Sequence, residues 1–170
     1  MKSISHEHGK INSKIVSKQI ISTVFLTILT LLTMESQAQT FKTIENKDLK
    51  LEVYNASENS FGVASVIVSG KKDAVLIDTQ FTLADAEKVA QEIKKSGKKL
   101  TTIFVSHGDP DFYFGLEVFK KYFPEVTAYA TPATIEHIKA TAQKKLDVWG
   151  ERLGKNITSN VILPQVLKGN

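Results

Sequence analysis

Cysteine is absent from this sequence of 170 residues. A protein without cysteine has no disulfide to support it, so its fold depends on the buried core. Long apolar runs are also scarce. The uncharged run "IISTVFLTILTLLTM", from Ile20 to Met34, has fifteen residues, four of them threonine, whereas a membrane-spanning helix needs about 20 mostly apolar residues. Because no cysteine follows this run, a lipid-anchored lipoprotein is excluded as well.

The N-terminal run is typical of a secretory signal peptide of the bacterial type. Lysines precede it at positions 2, 10, 14 and 18, and small residues follow it at Ser36 and Ala38, where a signal peptidase reads the chain. We therefore expect residues 1–38 to be a signal peptide and residues 39–170 to be exported, to the periplasm or the medium. A membrane anchor is the alternative, but the run is short and polar for that role. After cleavage we expect no membrane contact.

Charge of either sign is not in large excess in the mature part. Residues 1–38 hold four lysines and two glutamates, so 18 of the 22 basic and 16 of the 18 acidic residues remain. Lysine pairs such as Lys71-Lys72 and Lys144-Lys145 are spread along the chain instead of gathering in one segment. This distribution predicts solvated faces and no nucleic-acid partner.

Strand and helix patterns alternate along residues 39–170, which predicts a single α/β domain. The segment "AVLID", Ala74 to Asp78, forms a predicted hairpin with the strand before it, and its unbroken apolar run predicts burial on both faces. Thr82 and Asp85 form a capping pair that starts a helix, and Gly97 ends it. The predicted strands are Leu49–Ala56, Gly62–Gly70, Ala74–Asp78, Leu100–Ser106 and Val126–Ala130, and the predicted helices follow Thr82, Gly115 and Thr131, the last to about Trp149.

The segment "FVSHGDPDFYFG", Phe104 to Gly115, contains the polar residues that are best suited to bind a cation or take part in catalysis. In an extended segment, His107, Asp109 and Asp111 lie at alternate positions, so their side chains lean to one side and can converge on a cation. Such a cation lowers the pKa of a bound water toward about 7 in hydrolytic sites. The alternative is a turn, because Gly-Asp-Pro-Asp is favourable turn chemistry.

The order of these elements and the motif resemble the N-terminal half of the metallo-β-lactamase fold superfamily, over about Leu49 to Leu163. The resemblance implies an α/β fold of the αββα sandwich type, with only the N-terminal half present here. The family signature is His-x-His-x-Asp-His followed by x-x-Gly, and Ser106 to Gly115 lies over it without a gap. The resemblance also implies that Asp78, at the end of the preceding strand, supports the loop more than it binds metal.

Carried over residue by residue, the signature is altered. His107, Asp111 and Gly115 match it, whereas Asp109 and Phe112 stand where the second and third histidines belong. The resemblance thus implies a metal site made of His107, Asp109 and Asp111, with Asp111 also the catalytic candidate. The implied cofactor is a divalent metal, zinc by resemblance, or a harder ion such as manganese because carboxylate replaces imidazole, or no metal at all.

Three hypotheses follow. The first is an exported hydrolase-like protein in which a metal-activated water attacks an ester, lactone, amide or phosphoester substrate. The second is a non-catalytic relative that keeps the fold and binds a small molecule. The third is a truncated gene product, in which an uncovered sheet face promotes self-association. β-Lactam hydrolysis in particular has no support in the residues.

His137 is interpreted as a surface or partly packed residue of the last helix, and the rings of Phe112, Tyr113 and Phe114 as packing under the next helix.

Overall fold

A computed structural model describes residues 41–168 of the chain. The predicted signal peptide and its cleavage position after Ala38 lie outside the described residues. Residues 41–168 form a mixed α/β unit around a seven-stranded sheet, which confirms the predicted α/β class. No helix within this range is long and apolar enough to cross a membrane.

The strands lie in the sheet in the order in which they occur along the chain. The first four pair antiparallel, and the fourth to the seventh pair parallel. They are β1 (Lys42–Glu45), β2 (Lys50–Asn55), β3 (Ala64–Ser69), β4 (Asp73–Ile77), β5 (Lys99–Phe104), β6 (Thr127–Ala130) and β7 (Gln165–Val166).

Four α-helices of the described range accompany the sheet: α1 (Leu83–Ser96), α2 (Pro110–Tyr113), α3 (Leu116–Tyr122) and α4 (Pro132–Leu153). α1 begins at the predicted cap, where Thr82 Oγ1 accepts a hydrogen bond from the Asp85 N–H at 3.1 Å. It ends at Gly97, whose φ of 67° is a conformation that glycine adopts without strain. Thr131 caps α4 in the same way.

One face of the sheet forms the core with the helices. In β2, β3, β4 and β6 alternate side chains are buried. Tyr54, Ile67, Leu76 and Ile103 of β5 all have 0% exposure and belong to a cluster that includes Val89 of α1 and Ile138 of α4. The side chains between them point to the other face, as the period of two requires, and are half-buried. They include Val53, Val66, Val75, Ile77 and Phe104. Self-association through this apolar face stays a prediction.

Besides α2, which is described with the site, the elements differ from the predicted ones in four places. β1 was not predicted, because its four residues are all exposed and it is recognised only by its pairing with β2. β4 is not buried on both faces, since Val75 and Ile77 are half-buried. α4 continues to Leu153, beyond the predicted end at Trp149. The sequence also predicts a strand-like piece in "VILPQVLKGN", from Val161, and within its described residues only Gln165 and Val166 form a strand, β7.

Candidate functional site

The motif loop, residues 106–115, leaves the C-terminal end of β5 and lies beside Asp78, the residue that follows β4. Because β4 and β5 are parallel, their carboxyl ends meet at the same edge of the sheet. The Asp78 backbone N–H donates to the Phe104 carbonyl at 2.9 Å, which extends the pairing of the two strands to the start of the loop. Asp78 has a φ of 58°, a conformation that aspartate tolerates better than most residues.

Asp78 holds the start of the motif loop with both carboxylate oxygens. Oδ1 accepts the Ser106 backbone N–H at 2.8 Å, and Oδ2 accepts the Ser106 hydroxyl at 2.7 Å. Burial raises the pKa of Asp78, and the two hydrogen bonds from Ser106 only partly oppose this effect. The contacts give Asp78 the supporting role that the resemblance implied.

His107 is oriented through the same serine. Its Nδ1 lies 2.9 Å from the Ser106 hydroxyl oxygen, whose proton is directed at Asp78. Nδ1 therefore donates to that oxygen, and Nε2 is left as the acceptor nitrogen of the ring. The Phe112 ring packs on the imidazole, with 4.7 Å between the ring centroids. In its neutral form, His107 thus presents an acceptor nitrogen in a fixed orientation.

Asp109 contacts a lysine of α4. Lys145 Nζ lies 2.8 Å from Asp109 Oδ1, 2.9 Å from the Gly108 carbonyl oxygen and 3.2 Å from His137 Nε2. The hydrogen bond from Lys145 lowers the pKa of Asp109, and the positive charge of Lys145 adds to this effect. The ammonium group therefore joins the motif loop to α4.

Asp111 is half-buried in the first turn of α2. Burial raises its pKa, and the negative charge of Asp109 acts in the same direction. A hydrogen bond within its own residue and the charges of Lys145 and His107 oppose the increase without cancelling it. Asp111 is thus a carboxyl group that accepts a proton more readily than a solvated aspartate, which suits it to bind a hydrogen-bond donor or a cationic group.

A cavity of about 370 Å³ lies next to Asp111. This volume falls in the range of small-molecule sites, about 300–1,000 Å³. The rings of Phe61, Phe81 and Trp149 contact one another edge to face or tilted, with centroids 5.2–5.4 Å apart. We call this cavity the aromatic pocket; its walls include Phe61, Phe81, Phe112 and Trp149, and its polar residues are Asp109, Asp111 and Lys145.

Two glycines allow the loop to pack as closely as it does. A Cβ on Gly115 would lie 1.8 Å from the Thr79 carbonyl oxygen, and the Gly115 N–H donates to the Gln80 carbonyl at 3.0 Å. A Cβ on Gly108 would lie 2.7 Å from Cδ2 of His137. Gly115 thus fixes the end of the loop against the segment after β4, and Gly108 fixes its start against α4.

The extended geometry predicted for His107, Asp109 and Asp111 is wrong. Pro110 starts α2, so Asp109 precedes that helix and Asp111 lies in its first turn. Alternate residues then no longer share a side, because the period of two ends where the helix begins. His107 is linked to Ser106, Asp109 to Lys145, and Asp111 lines the aromatic pocket. The metal-binding and catalytic roles assigned to these three residues stay predictions.

The donor groups do not fit a metal ion as they are placed. Among residues 41–168, no group of three or more histidine, cysteine, aspartate or glutamate side chains is arranged to hold one. The carboxylate of Asp109, one of the candidate ligands, is already paired with the ammonium group of Lys145. A divalent ion there would have to displace Lys145 or accept its positive charge at close range, which is unfavourable.

Several residues of this site were missed by the sequence reasoning. On α4, Lys145 follows His137 by eight residues and Trp149 follows Lys145 by four, so the three lie toward one side of the helix, a spacing that is visible in the sequence. Nothing in the sequence indicates that this side meets the motif loop. Of the three rings expected under the next helix, Tyr113 and Phe114 are indeed buried in the core, whereas Phe112 covers His107 and lines the pocket.

Comparison with known proteins identifies a family that the chain matches. The family model described as the Metallo-beta-lactamase superfamily matches residues 59–166. No curated protein matches the chain.

Solved structures are similar to the chain in fold. A metallo-β-lactamase from Hirschia baltica has a TM-score of 0.53 at 12% identity, over 77% of this chain and 53% of its own. The metallo-β-lactamase FIM-1 from Pseudomonas aeruginosa, in a mono-zinc form, has a TM-score of 0.53 at 11% identity, over 77% and 52%. A metallo-β-lactamase from Pontibacter korlensis has 0.50 at 17%, over 77% and 54%. The chain spans about half the length of the solved structures it matches.

Proposed function

Because the chain belongs to the metallo-β-lactamase superfamily and carries an altered form of its motif, we propose that it binds a small molecule in the aromatic pocket without using a metal ion. The observation that carries this proposal is the ammonium of Lys145, 2.8 Å from Asp109 Oδ1. The carboxylate of Asp109 is already paired with this internal cation, so it has no vacant charge for a metal ion to neutralise.

The pocket supports a particular ligand chemistry. Its aromatic walls favour a planar or apolar group, which they can contact edge to face or by offset stacking. At its polar end the carboxyl of Asp111 has a raised pKa and accepts a hydrogen bond from a ligand donor, whereas Lys145 and Asp109 neutralise each other. A ligand with an apolar ring and an amino or hydroxyl group therefore fits best.

Trp149 provides the test, because it is the only tryptophan in the sequence and lines the pocket. Its emission is recorded while the purified protein is titrated with naphthylmethylamine and, separately, with naphthylacetate, which share a ring and differ in charge. We expect saturable changes with both probes and tighter binding of the amine, which faces Asp111. No saturable change with either probe contradicts the proposal.

A pair of variants separates the pocket from unspecific binding. Phe61→Ala removes a pocket wall, and we expect it to weaken binding of the amine by about threefold to tenfold, the value of one aromatic contact. Phe123→Ala removes a half-buried ring that does not line the pocket, and we expect no change in affinity. Equal weakening by both variants contradicts the assignment of the pocket.

A second candidate function is supported by His107, whose Nε2 is held as an acceptor by the contact between Nδ1 and Ser106. An acceptor nitrogen is what a metal ligand requires, so a metal-dependent hydrolase acting on an ester, lactone, amide or phosphoester is the alternative. Its test is zinc and manganese analysis of the purified protein, with His107→Ala and Asp111→Ala. Chelator-sensitive hydrolysis of a generic ester or phosphoester would favour this alternative over metal-free binding.

We also propose export of the mature part, supported by the N-terminal sequence pattern.

A further inference from the structure

Three acceptor atoms from two separate segments converge on the ammonium of Lys145. Asp109 Oδ1 and the Gly108 carbonyl oxygen come from the motif loop, at 2.8 and 2.9 Å. His137 Nε2 comes from α4, at 3.2 Å. An ammonium group has three N–H donors, so each acceptor can receive one. Because the number of acceptors equals the number of N–H donors, the contact of Lys145 is a three-acceptor site and not a single surface ion pair.

Lys145 is packed in a way that other paired lysines are not. Its side chain is 17% exposed, whereas those of Lys50, Lys88 and Lys95 are 41%, 51% and 71% exposed. A lysine side chain on a helix leans toward the helix N-terminus, which brings Nζ of Lys145 back toward His137, two turns earlier. The ammonium is therefore held in place by packing of its stem as well as by its acceptors.

The three acceptors are also the atoms that bind metal ions. Carboxylate and backbone carbonyl oxygens coordinate hard divalent ions, and an imidazole nitrogen coordinates zinc and manganese. This set differs from the predicted one, because it contains His137 and a carbonyl oxygen in place of His107 and Asp111. Gly108 makes the set possible, since any Cβ there would collide with the His137 ring.

We propose that Lys145 is a built-in cation: its ammonium fills a cation site formed by Asp109 Oδ1, the Gly108 carbonyl oxygen and His137 Nε2, and so closes the motif loop on α4 without a metal ion. The inference deepens the proposed function and rests on it, because both require a motif loop that works without metal. Removal of the ammonium leaves three ligand atoms in one place with a net negative charge. A divalent ion can then enter.

The test is Lys145→Met, which keeps the length and the packing of the side chain and removes its charge. Lys144→Met is the matched control, because Lys144 is the neighbouring exposed lysine on the same helix. Each protein is titrated with ZnCl₂ and with MnCl₂ in a calorimeter. We expect one ion per chain in Lys145→Met, bound at least about a hundredfold more tightly than by the wild type or Lys144→Met, because a like charge at contact distance is gone. Adding His137→Ala to Lys145→Met should abolish the binding.

The outcomes separate this inference from the proposed function. No ion binding by a folded Lys145→Met, or binding that survives His137→Ala, overturns the inference alone. An ion bound by the wild type and lost in His107→Ala overturns the proposed function. Circular dichroism establishes whether each variant is folded.

A measurement on the wild-type protein covers the case in which Lys145→Met does not fold. The proposed contact requires His137 Nε2 to accept a hydrogen bond, so Nδ1 carries the ring proton. We expect ¹⁵N NMR of the His137 ring to show this tautomer at about pH 8, where an ordinary imidazole is neutral. A protonated Nε2 would contradict the inference.

Discussion

Asp78 and Ser106 are joined by two hydrogen bonds, one from the Ser106 backbone N–H to Oδ1 at 2.8 Å and one from its hydroxyl to Oδ2 at 2.7 Å. Both bonds need an acceptor on Asp78, and the second directs the hydroxyl so that it accepts from His107 Nδ1. This relationship connects the end of β4 to the first residues of the motif loop. It explains how a buried carboxylate contributes to the site without lining the pocket.

Asp78→Asn replaces one of these acceptor oxygens with a donor. We expect it to lower the free energy of unfolding by about 1–3 kcal/mol, the cost of a buried polar group that loses its partner. Ser106→Ala removes only the hydroxyl and should cost about 1 kcal/mol, because the backbone bond to Asp78 remains. Urea unfolding followed by circular dichroism measures both. An Asp78→Asn protein as stable as the wild type would contradict the supporting role.

Gly115→Ala should be the most damaging small change in the motif. The added Cβ would lie 1.8 Å from the Thr79 carbonyl oxygen and 2.8 Å from Ala86 Cβ, and a backbone oxygen cannot move aside cheaply. We expect a loss of at least about 3 kcal/mol, which is at the upper end of the effects of single substitutions. Thermal unfolding provides the measurement.

Gly150→Ala is the control for this substitution. A Cβ there would meet nothing within 4 Å, and Gly150 lies inside α4. Alanine is favoured over glycine in a helix interior by up to about 1 kcal/mol, so this variant should be slightly stabilised. Destabilisation of both glycine variants to the same extent would show that crowding at Thr79 is not the cause.

Acid should weaken the fold partly through Asp85. Burial by itself would raise the pKa of Asp85, but hydrogen bonds from Tyr54, Thr82, Ser60 and Lys88 outweigh it and hold the pKa below its usual range. A carboxylate with a lowered pKa stabilises the fold above its unfolded pKa of about 3.9, and that contribution is lost as the pH falls through the folded value.

The corresponding measurement compares the wild type with Asp85→Asn in urea at a series of pH values. We expect the wild type to be more stable at neutral pH by about 1–3 kcal/mol, since the amide cannot accept all four hydrogen bonds. The difference should shrink below about pH 4 as Asp85 is protonated. A difference that stays constant with pH would contradict the role of the ionised carboxylate.

Local patterns predicted most of the fold. The alternation in β2 and β3, the capping pair Thr82 and Asp85, and Gly97 each act within a few residues of the chain, so the sequence contains enough information to place them. β1 was missed because its exposed residues carry no alternation, and its position depends on pairing with β2. The same reasoning applies to β4, because burial of its second face depends on whether another segment packs against it, which the apolar run alone does not show.

The site was less predictable, because it depends on contacts between distant segments. The sequence placed His107, Asp109 and Asp111 in one loop, but not the start of α2 at Pro110, which separates the directions of their side chains. Lys145 lies 36 residues from Asp109 along the chain, and no local pattern reports that contact. Phe61 and Trp149 reach the same pocket from still more distant segments.

Binding of naphthylmethylamine, followed by Trp149 emission in metal-free buffer with a chelator and again with added zinc, tests the central claim most directly. We predict saturable binding with the same affinity under both conditions, because Lys145 supplies the positive charge that the motif loop needs. Binding that appears only when zinc is present, and is lost again in the chelator, would contradict the account.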